Sequence, residues 1–181
     1  MPYLWAVILL MLASCRGAAG SSTEMNSRPD LTQSTRKLNC DGMIGTRDEL
    51  PQGVEDVGNA VSLPTRKALG TARTNDADPA HRLRAKQGLY LRTGATADLI
   101  VSESAAGHLA FQWSSPEPTG HLQVGPCESS RKWIAFPGGY VLSEVGCFTI
   151  FVRDSNRDHE AKLGVEAPCP GQDAVEGYSE S

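Results

Sequence analysis

No nucleophile elbow G-x-S-x-G, no phosphate loop G-x-x-x-x-G-K-[ST] and no dinucleotide fingerprint G-x-G-x-x-G occurs in the 181 residues. The local signatures of α/β-hydrolases, P-loop enzymes and Rossmann enzymes are therefore missing. His159-Glu160 opens an H-E-x-x-H zinc motif, but Leu163 occupies the fifth position, so the second ligand is lost. There is no C-x-x-C pair, and the long separations between cysteines speak against a structural zinc site. Excess positive charge is lacking too: 17 Lys and Arg stand against 21 Asp and Glu, a net charge of −4. Phosphate binding needs a basic surface that releases counterions, so no nucleic acid is expected as a partner. The uncharged apolar run from Leu4 to Leu12 is too short to cross ~30 Å of hydrocarbon as a ~20-residue helix. Its length is that of a signal-peptide h-region.

The run ends in Leu12-Ala13-Ser14-Cys15, which resembles the lipobox of bacterial lipoproteins, a leucine and two small residues before the cysteine that is lipidated. On this reading residues 1–14 are a signal peptide, and Cys15, carrying palmitate-type acyl chains, anchors the mature chain to the membrane. No Lys or Arg precedes the apolar run, a departure from the usual positive n-region. The competing reading is an ordinary secretory signal with Cys15 near its cleavage site. Cysteine arithmetic favours lipidation: five cysteines is an odd number for an exported chain, and modifying Cys15 leaves an even set. Of the three pairings of Cys40, Cys127, Cys147 and Cys169, the expected one joins Cys127 to Cys147 and Cys40 to Cys169. The first bridge would bracket a hairpin around Trp133 to Tyr140, closing a loop worth roughly 3 kcal/mol; the second would tie the N-terminal arm to the last strand, worth up to roughly 5 kcal/mol.

Along the chain, residues 15–39 read as a flexible tether rich in Ser, Thr, Arg and Asn. Residues 40–81 read as a loop-rich arm with one short helix from Ser62 to Gly70, which begins with a hydroxyl cap and an early proline. From Arg82 the pattern turns to alternation: Leu83, Ala85, Leu89 and Leu91 lie on one parity, Arg82, Arg84, Lys86 and Arg92 on the other. This predicts a strand interrupted at Gly88, with a basic outer face typical of a blunted edge. Further short strands come at Ala97–Val101, Leu109–Trp113 and Leu122–Val124. Pro137-Gly138-Gly139 predicts a tight turn between Trp133–Phe136 and Tyr140–Leu142. Phe148, Ile150 and Val152, then His159, Ala161, Leu163 and Val165, predict a hairpin about the turn at residues 154–158. Some eight strands with turn signals every ten residues or so predict a mainly β fold, a small disulfide-stapled antiparallel β-sandwich of immunoglobulin-like type over 82–169. Residues 170–181 read as a disordered tail.

The run from Leu89-Tyr90-Leu91-Arg92 through Cys127, Trp133-Ile134-Ala135-Phe136-Pro137-Gly138-Gly139, Gly146-Cys147 and Cys169 resembles a family of uncharacterised actinobacterial exported proteins and lipoproteins. The likeness covers residues 88–170. It implies a secreted, disulfide-bonded β-domain and no established activity. Among candidate site residues, His81, His108, His121 and His159 lie far apart in sequence, and His159 shares the parity of apolar neighbours. Trp133, Phe136 and Tyr140 are candidates for a ligand groove or, more simply, for the core. Arg82, Arg84, Lys86 and Arg92, with Arg66 and Lys67, are candidates for an anionic polymer or for a solvated strand face. The expectation is a non-catalytic envelope lipoprotein that contacts the membrane through Cys15 and an envelope protein or wall polymer through its domain, with no metal and no cofactor. The alternative is a small exported hydrolase whose site is assembled from scattered residues.

Overall fold

The computed structural model describes residues 35–115, 117–155 and 157–174. The expected signal peptide, Cys15 and most of the tether lie outside the described residues. The chain is mainly β. Fourteen strands form among the described residues: β1 (Thr35–Lys37), β2 (Gly45–Arg47), β3 (Glu55–Val57), β4 (Val61–Leu63), β5 (Ala72–Arg73), β6 (Leu83–Lys86), β7 (Leu89–Arg92), β8 (Ala97–Val101), β9 (Leu109–Phe111), β10 (His121–Val124), β11 (Trp133–Phe136), β12 (Gly139–Leu142), β13 (Gly146–Asp154) and β14 (Arg157–Val165). One sheet runs β1-β10-β8-β13-β14, a second β2-β11-β7-β4-β3, a third β5-β6-β12-β9. Among the described residues, every ladder between these strands is antiparallel except β1 on β10.

The second and third sheets are two ends of one layer. Leu83 faces Leu142 and Lys86 faces Gly139; beyond the bend Leu89 faces Phe136 and Arg92 faces Trp133, with no residue inserted or lost between the two ladders. So β6 and β7 are one strand bent at Gln87-Gly88, as the alternation predicts, and β11 and β12 are one strand bent at Pro137-Gly138. Pro137-Gly138-Gly139 therefore does not reverse the chain, contrary to the expected tight turn. It lets two backbones approach. A Cβ on Gly138 would fall 2.2 Å from the Gln112 carbonyl oxygen, and one on Gly139 2.0 Å from that of Ala85. Both glycines sit near φ 150°, a region that side chains avoid. The two-layer sandwich closes on Leu89, Leu91, Ile134, Phe136 and Leu142 from one side and Leu99, Val101, Leu122, Ile150, Val152 and Leu163 from the other. At one end Phe111, Trp113 and Tyr140 pack with ring centroids 4.9–6.2 Å apart.

That bend decides the disulfides. Because β11 and β12 run on in one direction, Cys127 and Cys147 lie beyond opposite ends of a ten-residue traverse, about 30 Å at ~3.3 Å per residue. The expected Cys127–Cys147 and Cys40–Cys169 bridges are both replaced. Cys40 bonds Cys127 and Cys147 bonds Cys169, with Cα separations of 5.6 and 5.1 Å. Parallel strands leave their shared edge in the same direction, so Cys40 and Cys127, each three residues beyond the end of β1 or β10, meet. At the other bridge, Glu166 takes φ 59° and folds the chain back over Gly164. Gly164 pairs with Cys147, and a Cβ there would lie 3.0 Å from the Cys169 nitrogen.

Three further expectations change. The helix over Ser62–Gly70 does not form: β4 is buried at all three residues and pairs with β7, while Lys67 and Leu69 bridge to Asp173 and Val165. Burial between strands outweighs a local cap signal. The sheets also begin earlier than residue 82, since β1 falls in the stretch expected to be tether and β2 to β5 in the expected loop-rich arm. The start of the tail is docked: Gln172 donates to the carbonyls of Thr65 and Lys162, each at 2.9 Å, and the Asp173 amide donates to Arg66.

Candidate ligand-binding face

Along β8, Leu99 and Val101 point into the core, so Asp98 and Ile100 project from the opposite face of the first sheet. The same parity in its neighbours sets up rows across the strands. In one row Lys37 of β1 faces Gln123 of β10, Gln123 faces Asp98 of β8, Asp98 faces Arg153 of β13, and Arg153 faces Asp158 of β14. With strands about 4.8 Å apart, Lys37 and Arg153 stand roughly 14 Å from each other. Two residues along, the next row is Thr35, His121, Ile100, Phe151 and Glu160. An open cleft of about 390 Å³ lies over the first row, lined by Lys37, Gln123, Asp98 and Arg153 together with Thr96 and Ser155. A second cleft on the same face, about 520 Å³, is lined by Ser102, Thr149, Phe151, Glu160 and Lys162, among others.

His121, a buried member of the next row, braces this face from the side. It is 7% exposed; its Nε2 lies 2.8 Å from Asp98 Oδ1 and its Nδ1 2.9 Å from Thr35 Oγ1. A carboxylate only accepts, so the Nε2 hydrogen points at Asp98, and the Thr35 hydroxyl serves Nδ1 in either role. Arg153 is held by Asp158 through two bonds, Nε to Oδ1 at 2.5 Å and Nη2 to Oδ2 at 2.9 Å. That hydrogen bonding raises the pKa of Arg153 against the opposing effect of burial, and the charges of Asp158 and Asp98 add to it. By contrast, the side chains of Lys37 and Gln123 have no hydrogen-bond or ionic partner among the described residues.

The other sequence candidates are placed elsewhere. His159 and Asp154 sit on the inner-face side of the β13–β14 hairpin, Nε2 to Oδ1 3.0 Å, beneath the β3–β4 turn. A Cβ on Gly58 of that turn would lie 2.5 Å from Asp154 Oδ2, so the turn fills the space a substrate would need. Burial works against the Asp154 carboxylate, but the Asn59 amide and His159, with the charge of Arg157, outweigh it and hold its pKa below the ordinary value. His108 bonds Ser143 Oγ at 3.0 Å and lies 3.4 Å from Glu144; His81 lies 3.7 Å from Asp76 and Asp78. The four histidines thus each meet a different carboxylate, and no group of three potential metal ligands occurs among the described residues.

Trp133, Phe136 and Tyr140 are all buried, at 1% exposure or less. Phe136 and Tyr140 are core. Trp133 lies on the outside of the other layer, under Arg92 at 4.6 Å and Lys132 at 5.6 Å from its ring centroid, so its face is already covered. Arg82, Arg84 and Lys86 do not blunt an edge: β6 is interior, between β5 and β12. Arg82 donates through Nε to the Ser143 carbonyl at 2.5 Å. Sequence reasoning overlooked Lys37, Gln123, Asp98 and Arg153. Alternation marks Asp98, Gln123 and Arg153 as outward, but nothing local says that β1, β10, β8 and β13 are neighbours. Comparison with protein-family models, with curated proteins and with solved structures finds no match to this chain.

Proposed function

We propose that the protein is a cell-envelope lipoprotein, a non-catalytic binding or structural module held on the outer side of the cytoplasmic membrane by acyl chains on Cys15. The observation that carries the reading is that the four other cysteines form two disulfides, so Cys15 is the one cysteine of the sequence outside these bridges. Two disulfides suit an oxidising compartment, and the lipobox-like Leu12 to Cys15 supplies a use for the remaining thiol. At ~0.8 kcal/mol per buried methylene, two or more acyl chains give stable anchoring. Cys15→Ala should release the protein from membranes or leave it unprocessed, read by detergent partition and by the mass of the N-terminal peptide. A wild-type protein that partitions into the aqueous phase with an unmodified Cys15 overturns the reading.

One observation favours the alternative, a small exported hydrolase. Thr35, His121 and Asp98 form a hydroxyl–imidazole–carboxylate chain from three distant parts of the sequence, and Thr35 is exposed at the start of β1. That is the order of groups in an activated nucleophile. Turnover of p-nitrophenyl acetate that is abolished by both Thr35→Val and His121→Gln would favour the hydrolase over the binding module.

A further inference from the structure

We infer that the outer face of the first sheet is a binding site for a neutral, hydroxyl-rich glycan, centred on the row Lys37, Gln123, Asp98 and Arg153; this rests on the reading of the protein as an envelope binding module and names its ligand class. Charge decides the class. The row with Asp158 carries two cations and two carboxylates in alternation about an amide. A polyanion would meet Asp98 and Asp158, and a polycation would meet Lys37 and Arg153. Saccharide hydroxyls both donate and accept, so they satisfy Asp98 as donors and Lys37, Gln123 and Arg153 as acceptors. The site is open enough for a polymer and is backed by a buried group: His121, 7% exposed, fixes the Asp98 carboxylate at 2.8 Å. Lys37 and Gln123, with no partner among the described residues, are left to meet the ligand. Between the two clefts stands Phe151, half-buried in the next row. Its ring offers the apolar surface on which the C–H face of a sugar packs, with Thr149 and Ser102 beyond it.

The test uses the purified full-length chain in native affinity electrophoresis through gels containing mannan, arabinogalactan or a soluble β-glucan, with polygalacturonate as the anionic comparison. Retardation is expected with at least one neutral polymer and not with polygalacturonate. Gln123→Ala and Phe151→Ala should each weaken it roughly three- to tenfold. Asp98→Asn should do so by at least as much, with thermal melting used to separate lost binding from lost fold. Lys132→Ala, in the other layer, should leave it unchanged. Retardation by polygalacturonate alone, retardation that Gln123→Ala and Phe151→Ala both leave intact, or none by any neutral polymer overturns the assignment. The Cys15 partition experiment is independent of these gels: a membrane-held protein that binds no glycan overturns the site and leaves the lipoprotein reading standing.

Discussion

At Gly138 and Gly139 a missing side chain matters more than most side chains present. A Cβ at either would enter the backbone of a neighbouring segment, Gln112-Trp113 for Gly138 and Ala85 of β6 for Gly139, and backbone does not yield as the end of a flexible side chain does. Gly139→Ala should cost about 3 kcal/mol or more, whereas Gly45→Ala, with nothing within 4 Å of its Cβ, should change stability by less than about 0.5 kcal/mol; urea denaturation of the two variants is the check. Asp154 belongs to the same scale. Its folded pKa lies below the ordinary value, so the native state favours the carboxylate. The resulting stability is complete above the unfolded-state pKa of about 3.9 and is lost as pH falls through the lower, folded value. Asp154→Asn should therefore be destabilised relative to wild type at pH 7, and the gap should close below about pH 4. A gap that stays constant with pH would mean the residue acts through packing alone.

Among the elements, β1 has the largest effect for its size. Three residues in a parallel ladder carry Lys37 to the edge of the polar row, place the Thr35 hydroxyl against His121, and aim Cys40 at Cys127. The Cys40–Cys127 bridge spans 87 positions and Cys147–Cys169 spans 22. In the chain-entropy account, removing the first as a Ser pair should cost roughly 4–5 kcal/mol and removing the second roughly 3 kcal/mol, measured by denaturant titration without reductant. Non-reducing peptide mapping should yield one fragment joining Cys40 to Cys127 and another joining Cys147 to Cys169. Loss of the long bridge should also free β1, visible as faster amide exchange in Leu38, whose N–H bonds the Gln123 carbonyl at 2.8 Å.

For the whole molecule, the sandwich is self-contained from β1 onward, with its core closed between two layers and its cysteines paired. If acyl chains on Cys15 anchor the protein as proposed, their loss should therefore leave it folded. Cys15→Ala protein recovered in soluble form should melt at the same temperature as the detergent-solubilised wild type; a drop of several degrees would show that the anchor or the preceding residues contribute to the fold. The two faces of the sandwich are also unlike. One carries Trp133 capped by Arg92 and Lys132; the other carries the polar row and its clefts. The proposed binding and the proposed anchoring should therefore be separable by mutation.

By itself the sequence determined whatever depends on periodicity. The β13–β14 hairpin, the strand broken at Gly88 and the inward parity of Phe148, Ile150, Val152, Ala161, Leu163 and Val165 come from alternation, because in a strand successive side chains must point to opposite faces. The same holds for the mainly β class, while the odd number of cysteines is a matter of counting. Tertiary structure alone decided which segments lie side by side. Pro137-Gly138-Gly139 has the composition of a turn, yet it is a bend, since whether glycines reverse a chain or admit a neighbouring backbone depends on what crosses there. With that bend read as a turn, Cys127 and Cys147 fall near each other and the pairing comes out wrong. The polar row was hidden for the same reason: Lys37, Gln123, Asp98 and Arg153 are separated by 25 residues or more, and only the register of β1, β10, β8 and β13 places them one strand apart.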